Sequence, residues 1–252
     1  SDITKRMSRG SFSCKFWLAH YTEKTDYTGN VNMWQYTSQG NVPGISGGVD
    51  SKVQIHQTGQ PLNSFFVYQQ VYDVNGKPIE GMYVDRNKDG KIDQYDKYCF
   101  HDPAPKVTIG FNTQLSWKAL TLAVSAHANI GNYVYDNISS NGELLTDLWT
   151  NNFTNNRVVT APMTNFRSSG QYLSDYYVRN ASFLKLDNIT LSYRFNLGNA
   201  SNRDLTLDLF GTVSNVATFT GYKGIDPEIA GGIDNNMYPR PRTYILGLKF
   251  NF

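Results

Sequence analysis

The feature that most constrains the fold is strict two-residue alternation sustained over long runs. Over residues 106–117, Val107, Ile109, Phe111, Leu115 and Trp117 share one parity with Thr113, and Lys106, Thr108, Gly110, Asn112, Gln114 and Ser116 share the other. After a break at Lys118 and Ala119, the pattern resumes through Leu120, Leu122, Val124, Ala126, Ala128 and Ile130. A period of two is the pleat of a β-strand, whose successive side chains point to opposite faces. Each run is roughly twice the ~5–6 residues of an ordinary strand. Each also reaches the ~9–11 residues that a tilted strand needs to cross a bilayer. The tight link makes the two runs an antiparallel hairpin.

The alternation recurs at Ile189, Leu191, Tyr193 and Phe195. Leu184 and Leu186 lie one residue out of phase with that set, which predicts a bulge near Asp187. A compact link over 196–203 then leads to Leu205, Leu207, Leu209, Gly211 and Val213, and the chain closes on Tyr244, Leu246, Leu248, Phe250 and Phe252. Extended candidates in the first hundred residues are less regular and cover 12–18, 53–55 and 63–74. Roughly eight to ten strands can be counted this way. Short links alternate with long intervals over 133–182 and 216–242, which are rich in Asn, Gly, Ser, Tyr and Pro. One or two helical turns are expected over 142–150. Loops beyond ~12–15 residues are uncommon in compact soluble domains, whereas tight turns on one side and long loops on the other are regular in outer-membrane barrels.

Alternation does not by itself say whether the apolar face meets a core or a bilayer. Composition narrows the choice. Charged residues are 17% of the chain against 14% aromatic residues, with 17 Tyr and 14 Phe. No stretch approaches the ~18 consecutive apolar residues of a membrane helix, and a net charge of +2 advertises no nucleic-acid partner. Trp117, Tyr133, Tyr135, Tyr176, Tyr177, Tyr193, Phe195 and Tyr244 cluster near strand ends, as interfacial girdles do. The terminal Phe252 closes an amphipathic strand. The expected class is therefore all-β, an antiparallel transmembrane β-barrel whose apolar parity faces lipid. The alternative left open by pattern alone is a soluble β-sandwich carbohydrate-binding module. The chain starts in mid-pattern without a leader, and we read residues 1–252 as the C-terminal part of a larger barrel.

Among motifs, Asp85, Asn87, Asp89, Lys91, Asp93 and Asp96 follow the spacing of a calcium loop, with Lys91 offering its backbone carbonyl and Gly90 the sharp turn. Asp96 stands where an EF-hand has Glu, and no flanking helices are expected. The reading is a structural Ca2+ ion stiffening an extracellular loop, set against a solvated acidic turn. The stretch 44–48, Gly-Ile-Ser-Gly-Gly, matches a nucleophile elbow only formally, since no helical pattern follows it. His20, His56, His101 and His127 show no metal spacing, and His127 falls on the polar parity as a wall residue. Asp226 and Glu228 lack a partnered motif for glycosidase chemistry. Cys14 and Cys99 read as two separate packed thiols, with a single bridge left open. The sequence points to no enzyme. Trp149, Tyr172, Tyr176, Tyr177, Tyr222 and Tyr238 are candidate substrate contacts, because phenol and indole faces stack on sugar rings.

From residue 59 onward, four stretches carry a family resemblance: GQPLNSFFVYQQVYDVNGKPIEGMYVDRNKDGKID, YYVRNASFLKLDNITLSYRF, GYKGIDPEIAGGID and YPRPRTYILGLKFNF. They resemble the SusC/RagA-type TonB-dependent transporters of the Gram-negative outer membrane; residues 1–57 contribute little. The resemblance implies the C-terminal portion of an even-numbered barrel of about 22 strands, with the plug domain and the N-terminal strands outside this chain. It implies a multi-pass outer-membrane importer of oligosaccharides or peptides, working with a SusD-like surface lipoprotein as a lid. It also implies TonB engaged through the absent N-terminal region, and outer-membrane lipid around the wall.

Overall fold

The computed structural model describes residues 2–7, 10–20, 37–39, 52–57, 59–150, 153–154, 157–159, 161–167, 172–200, 203–235 and 238–251. The nucleophile-elbow match at 44–48 and the terminal Phe252 lie outside them. A single antiparallel meander of seven strands dominates, each strand paired with the next. The strands are β1 (Asp2–Met7), β2 (Gly10–His20), β3 (Val107–Trp117), β4 (Leu120–Ile130), β5 (Phe183–Ala200), β6 (Arg203–Thr220) and β7 (Thr243–Asn251). No helix among the described residues is long and apolar enough to cross a membrane.

Register converts the alternation of each strand into continuous rows. Gly10, Trp117, Leu120, Tyr193, Leu209 and Leu248 stand opposite one another across β2–β7. One pleat further, Phe12, Leu115, Leu122, Leu191, Gly211 and Leu246 form the next apolar row. On the other face Lys15, Asn112, Ser125, Asn188, Ser214 and Thr243 align. The apolar face is not covered by protein: Leu191 is 50% exposed and Leu248 61%. Contiguous apolar surface on this scale belongs to a lipid contact or an interface. At the short-turn end Trp117, Tyr193, Phe195 and Phe250 are exposed together, and the rings of Tyr193 and Phe195 lie 4.6 Å apart. That is the placement of an aromatic girdle.

The bulge expected near Asp187 is present. Ser125 pairs with Asn188 and Ala126 with Leu186, so Asp187 is the extra residue against β4. On the other side Asn215 and Val216 fall between the pairs Asn188–Ser214 and Leu186–Ala217, with Asn215 in the left-handed region at φ 53°. The bulge inverts the apolar parity of β5, from Ile189 to Leu186, while in β6 Ala217 and Phe219 keep the parity of Val213. Polar Asn215 interrupts that parity, so the alternation reads as ending at Val213 although the strand continues to Thr220. The expected link over 196–203 is likewise mostly strand, since a second irregularity at Gly198 (φ 109°) lets β5 run on to Ala200. The strand pair β1–β2 also begins earlier than the candidate over 12–18.

Trp17 breaks the polar row of β2 and lies against Gly110, whose absent side chain makes the space: a Cβ there would run into the indole. Gly110→Ala is expected to destabilise the assembled barrel by about 1–3 kcal/mol through overpacking, read as a lowered urea midpoint.

The fully buried side chains sit in the long loops, not in the sheet. Val53, Phe65, Val67, Tyr135, Leu173, Tyr177 and Val178 form one cluster, with Tyr68, Tyr98, Phe100 and Tyr133 packed against it. Short strands organise this cap. Ser64–Val67 lies between Gln54–His56 and Tyr98–Cys99, and Tyr133–Asp136 lies between Val178–Asn180 and Ile233–Asp234. Of the helical turns expected over 142–150, one is present as a 3-10 turn at Leu145–Leu148. An α-helix at Asn137–Gly142, capped by Asp136, precedes it, and further turns follow at Ala161–Thr164 and Asp175–Tyr177. Cys14 stands on the apolar parity of β2 opposite Thr113, Cys99 lies in the cap, and both are free thiols.

Candidate functional site

The polar face of β2–β5 forms a shallow concavity lined by Ser13, Lys15, Asn112, Gln114, Ser125, Asn188 and Thr190. Toward the long-loop end, the β6–β7 connection folds down onto this face and fastens there by charge. Lys185 is 4% exposed, and its Nζ lies 2.9 Å from Asp226 Oδ1 and 2.7 Å from Glu228 Oε2. Arg240 closes the same pair of carboxylates from the solvent side, at 3.0 Å from Asp226 Oδ2 and 2.9 Å from Glu228 Oε2. His127 Nδ1 lies within hydrogen-bond distance of Asp187 Oδ2 at 2.8 Å, and its Nε2 lies 3.6 Å from Glu228 Oε1. Asp187 is the bulge residue, so the irregularity in β5 is what brings a carboxylate beside His127. A charge buried this deeply persists only with compensating partners, and Lys185 has two.

Above this latch the cap presents tyrosines around a half-buried acid. Asp175 Oδ1 accepts from the Gln70 backbone N–H at 3.0 Å, and Tyr98 Oη donates to Asp175 Oδ2 at 2.8 Å. Burial nevertheless raises the Asp175 carboxyl above its ordinary value. Burial, then the Asp175 charge, pushes the Tyr72 hydroxyl up to about 12. The Tyr72 and Tyr176 rings are 6.4 Å apart, those of Tyr68 and Tyr83 are 4.9 Å apart, and Arg179 lies 4.4 Å from the Tyr176 ring centre. Planar rings, a carboxylate and a guanidinium can stack on and hydrogen-bond a polar ligand.

The six expected contact residues divide. Trp149, Tyr172 and Tyr238 are exposed and Tyr176 is half-buried. Tyr177 and Tyr222 are core residues instead. Tyr177 is fully buried and donates to Glu143 Oε2 at 2.5 Å, and Tyr222 donates to Asp234 Oδ2 at 2.6 Å. Buried Tyr settles where its hydroxyl finds a partner, and alternation carries no sign of such distant acids. Trp149 and Tyr238 stand apart from the tyrosine cluster around Asp175. The latch is legible in the sequence only in part, as a lone Lys inside the apolar run at 183–186 and an acid pair at 226 and 228.

The acidic loop at 85–96 is closed by its own hydrogen bonds. Asp85 accepts from the backbone N–H of Lys88 (2.6 Å) and Gly90 (2.8 Å), and Asp89 accepts from Lys91 (2.9 Å). Asp93 accepts from Tyr95 (2.8 Å). Asp96 accepts from the backbone of Arg86, Asn87 and Asp93, and the Asp93 donor first among these holds its carboxyl below the usual range. Gly90 adopts φ 82° at the sixth position, as the turn requires. Among the described residues, no group of three or more His, Cys, Asp or Glu side chains is gathered to hold a metal ion.

Comparison with known proteins places these features. The TonB-dependent receptor SusC of Bacteroides thetaiotaomicron is 42% identical over 237 residues, 92% of this chain and 23% of that receptor. The TonB-dependent receptor P3 of Formosa agariphila is 27% identical over 236 residues, 80% of this chain and 23% of that receptor. The solved RagAB peptide transporter matches 100% of this chain and 28% of its own, with a TM-score of 0.73 at 20% identity. The RagAB importer in its open-open state gives a TM-score of 0.70 at 19% identity, over 100% of this chain and 27% of its own. No family model matches. The chain thus spans 23% of the length of these curated receptors.

Proposed function

Because this chain belongs to the SusC/RagA family of TonB-dependent receptors, we propose that it supplies wall strands and outer loops to an importer of oligosaccharides or peptides. Receptors of this family are outer-membrane β-barrels, and the known relatives are transport receptors rather than enzymes. The observation that carries the reading is the two-faced sheet. Exposed apolar rows run across β2–β7, and Ser, Thr and Asn line the face behind them. In hydrocarbon every backbone group must be paired within the protein, so this sheet does its work inside a closed barrel. The loop cap then stands at the outer mouth, where Trp149, Tyr172, Tyr176 and Tyr238 meet cargo and a SusD-like lipoprotein docks above them. TonB acts through residues outside this chain.

The test is uptake in cells lacking the complete receptor. Labelled oligosaccharide or peptide import should be lost, restored by the intact gene, and lost again without TonB. Import unchanged by the deletion would remove the proposal. Partition of the complete protein into the aqueous fraction would favour the soluble-module alternative.

A second reading concerns the loop at 85–96, where Gly90 makes the turn and Asp85, Asn87, Asp89, Asp93 and Asp96 supply oxygens at calcium-loop spacing. Calcium would enter if these side chains swung their free lone pairs inward, with the Lys91 carbonyl completing the set. Millimolar Ca2+ against chelator is then expected to slow amide exchange across this loop by at least about tenfold, the effect of ~1.4 kcal/mol. Identical exchange in both conditions would leave a turn held by hydrogen bonds alone.

A further inference from the structure

Asp136 and Asp234 face one another in the parallel pairing of Tyr133–Asp136 with Ile233–Asp234. Both are buried: Asp234 is 0% exposed and Asp136 8%. Their oxygens are served unequally. Asp136 Oδ1 accepts from the Ser139 backbone N–H at 2.9 Å and Oδ2 from the Ser139 hydroxyl at 2.6 Å. Asp234 Oδ2 accepts from the Tyr222 hydroxyl at 2.6 Å, but its Oδ1 is buried without a hydrogen-bond partner. Gly224 seals the site, since a Cβ there would overlap the Tyr222 ring and crowd Asp234 Oδ2.

Two neighbouring carboxylates cannot both stay ionised in a poorly solvated site. The other charged groups do not relieve Asp234. Asp226 adds a further negative charge, while Lys185 and Arg240 are engaged with Asp226 and Glu228. Arg179 acts on the Tyr222 hydroxyl, with which Asp136 also interacts. Asp136 is the better supplied with hydrogen bonds, as the cap of the Asn137–Gly142 helix.

We propose that Asp234 carries a proton in the folded protein, and that this neutral state keeps the 222–235 segment of the β6–β7 loop packed against the Tyr133–Asp136 strand. Burial first, then the charges of Asp136 and Asp226, raises the Asp234 carboxyl above its ordinary value against the opposing Tyr222 hydrogen bond. A carboxyl held protonated by folding contributes stability that is complete below the ordinary carboxyl range and is lost as pH rises through its folded value. The loop is thus an alkali-released fastening, distinct from the ionic latch at Lys185.

The test is amide exchange over 222–235 in the complete detergent-solubilised receptor, corrected for intrinsic rates, from about pH 5 to about pH 9, the span in which buried carboxyls titrate. Wild type should lose protection as pH rises, by about tenfold for each unit of pKa difference. Asp234→Asn, permanently neutral and similar in shape, should keep its protection flat across the range. Asp136→Asn, which removes the neighbouring charge but retains a helix cap, should move the wild-type loss to lower pH. Three results would overturn the proposal: a wild-type profile no steeper than that of Asp234→Asn, an Asp234→Asn receptor unprotected or unassembled at every pH, or protection that depends on added Ca2+ or chelator.

Discussion

Leu191→Arg in the complete receptor is expected to lower barrel stability by about 1–3 kcal/mol, the cost of an arginine on the lipid face between the interface and the bilayer midplane. The neighbouring Thr190→Arg should change stability by under about 1 kcal/mol, because a residue on the watered face keeps its hydration. The two positions are adjacent in β5 and differ only in the side of the pleat. Leu191 stands in the apolar row with Leu122 and Leu246, whereas Thr190 shares a hydrogen bond with Thr212 at 2.9 Å across β6. Urea midpoints in detergent or lipid, together with heat-modifiable migration, read the contrast. Equal losses at both sites would mean that neither face meets hydrocarbon, and the membrane assignment would fail.

Lys185→Met should cost about 3 kcal/mol, the lower end of the 3–5 kcal/mol expected when one member of a buried ion pair is removed. Asp226, 7% exposed, then keeps Arg240, which is half solvent-exposed and screened, as its cation and the Glu228 backbone N–H as a donor. Adding Asp226→Asn and Glu228→Gln to the same receptor should restore much of the loss, because an apolar wall residue no longer faces unpaired acids. The combined variant settles whether the lysine acts through those two carboxylates. Losses that simply add across the three positions would show that it does not. Salt should matter little in wild type, since the Lys185 contacts are buried.

Much of the sheet is legible in the chain's own residues, because the alternation records a local geometry. Which parity faces out follows from Leu122, Leu191 and Leu248 falling in phase, and the bulge at Asp187 follows from Leu184 and Leu186 falling out of it. The same reasoning stops short in β6, where polar Asn215 interrupts the apolar parity that Ala217 and Phe219 resume. It misses β1, whose six residues alternate weakly. The cap is not legible for a different reason. Tyr177 with Glu143 and Tyr222 with Asp234 are partnerships between distant stretches, and nothing in their local sequence separates a buried phenol from one waiting at the surface. Asp175, Tyr98 and Tyr72 escape notice on the same ground. The calcium spacing at 85–96 is visible, but the backbone donors that occupy those carboxylates are not.

The receptor draws its cohesion from two different solvents. On the proposed function the outward rows of the sheet would be stable because acyl chains accept them, while the dense centre built on Phe65, Tyr135 and Tyr177 coheres because water rejects it. Stripping lipid weakens the first and leaves the second; a chaotrope reaches the second while the first still rests in its micelle. On that function the loop cap is therefore expected to melt as a collar of its own, separately from the wall on which it is seated.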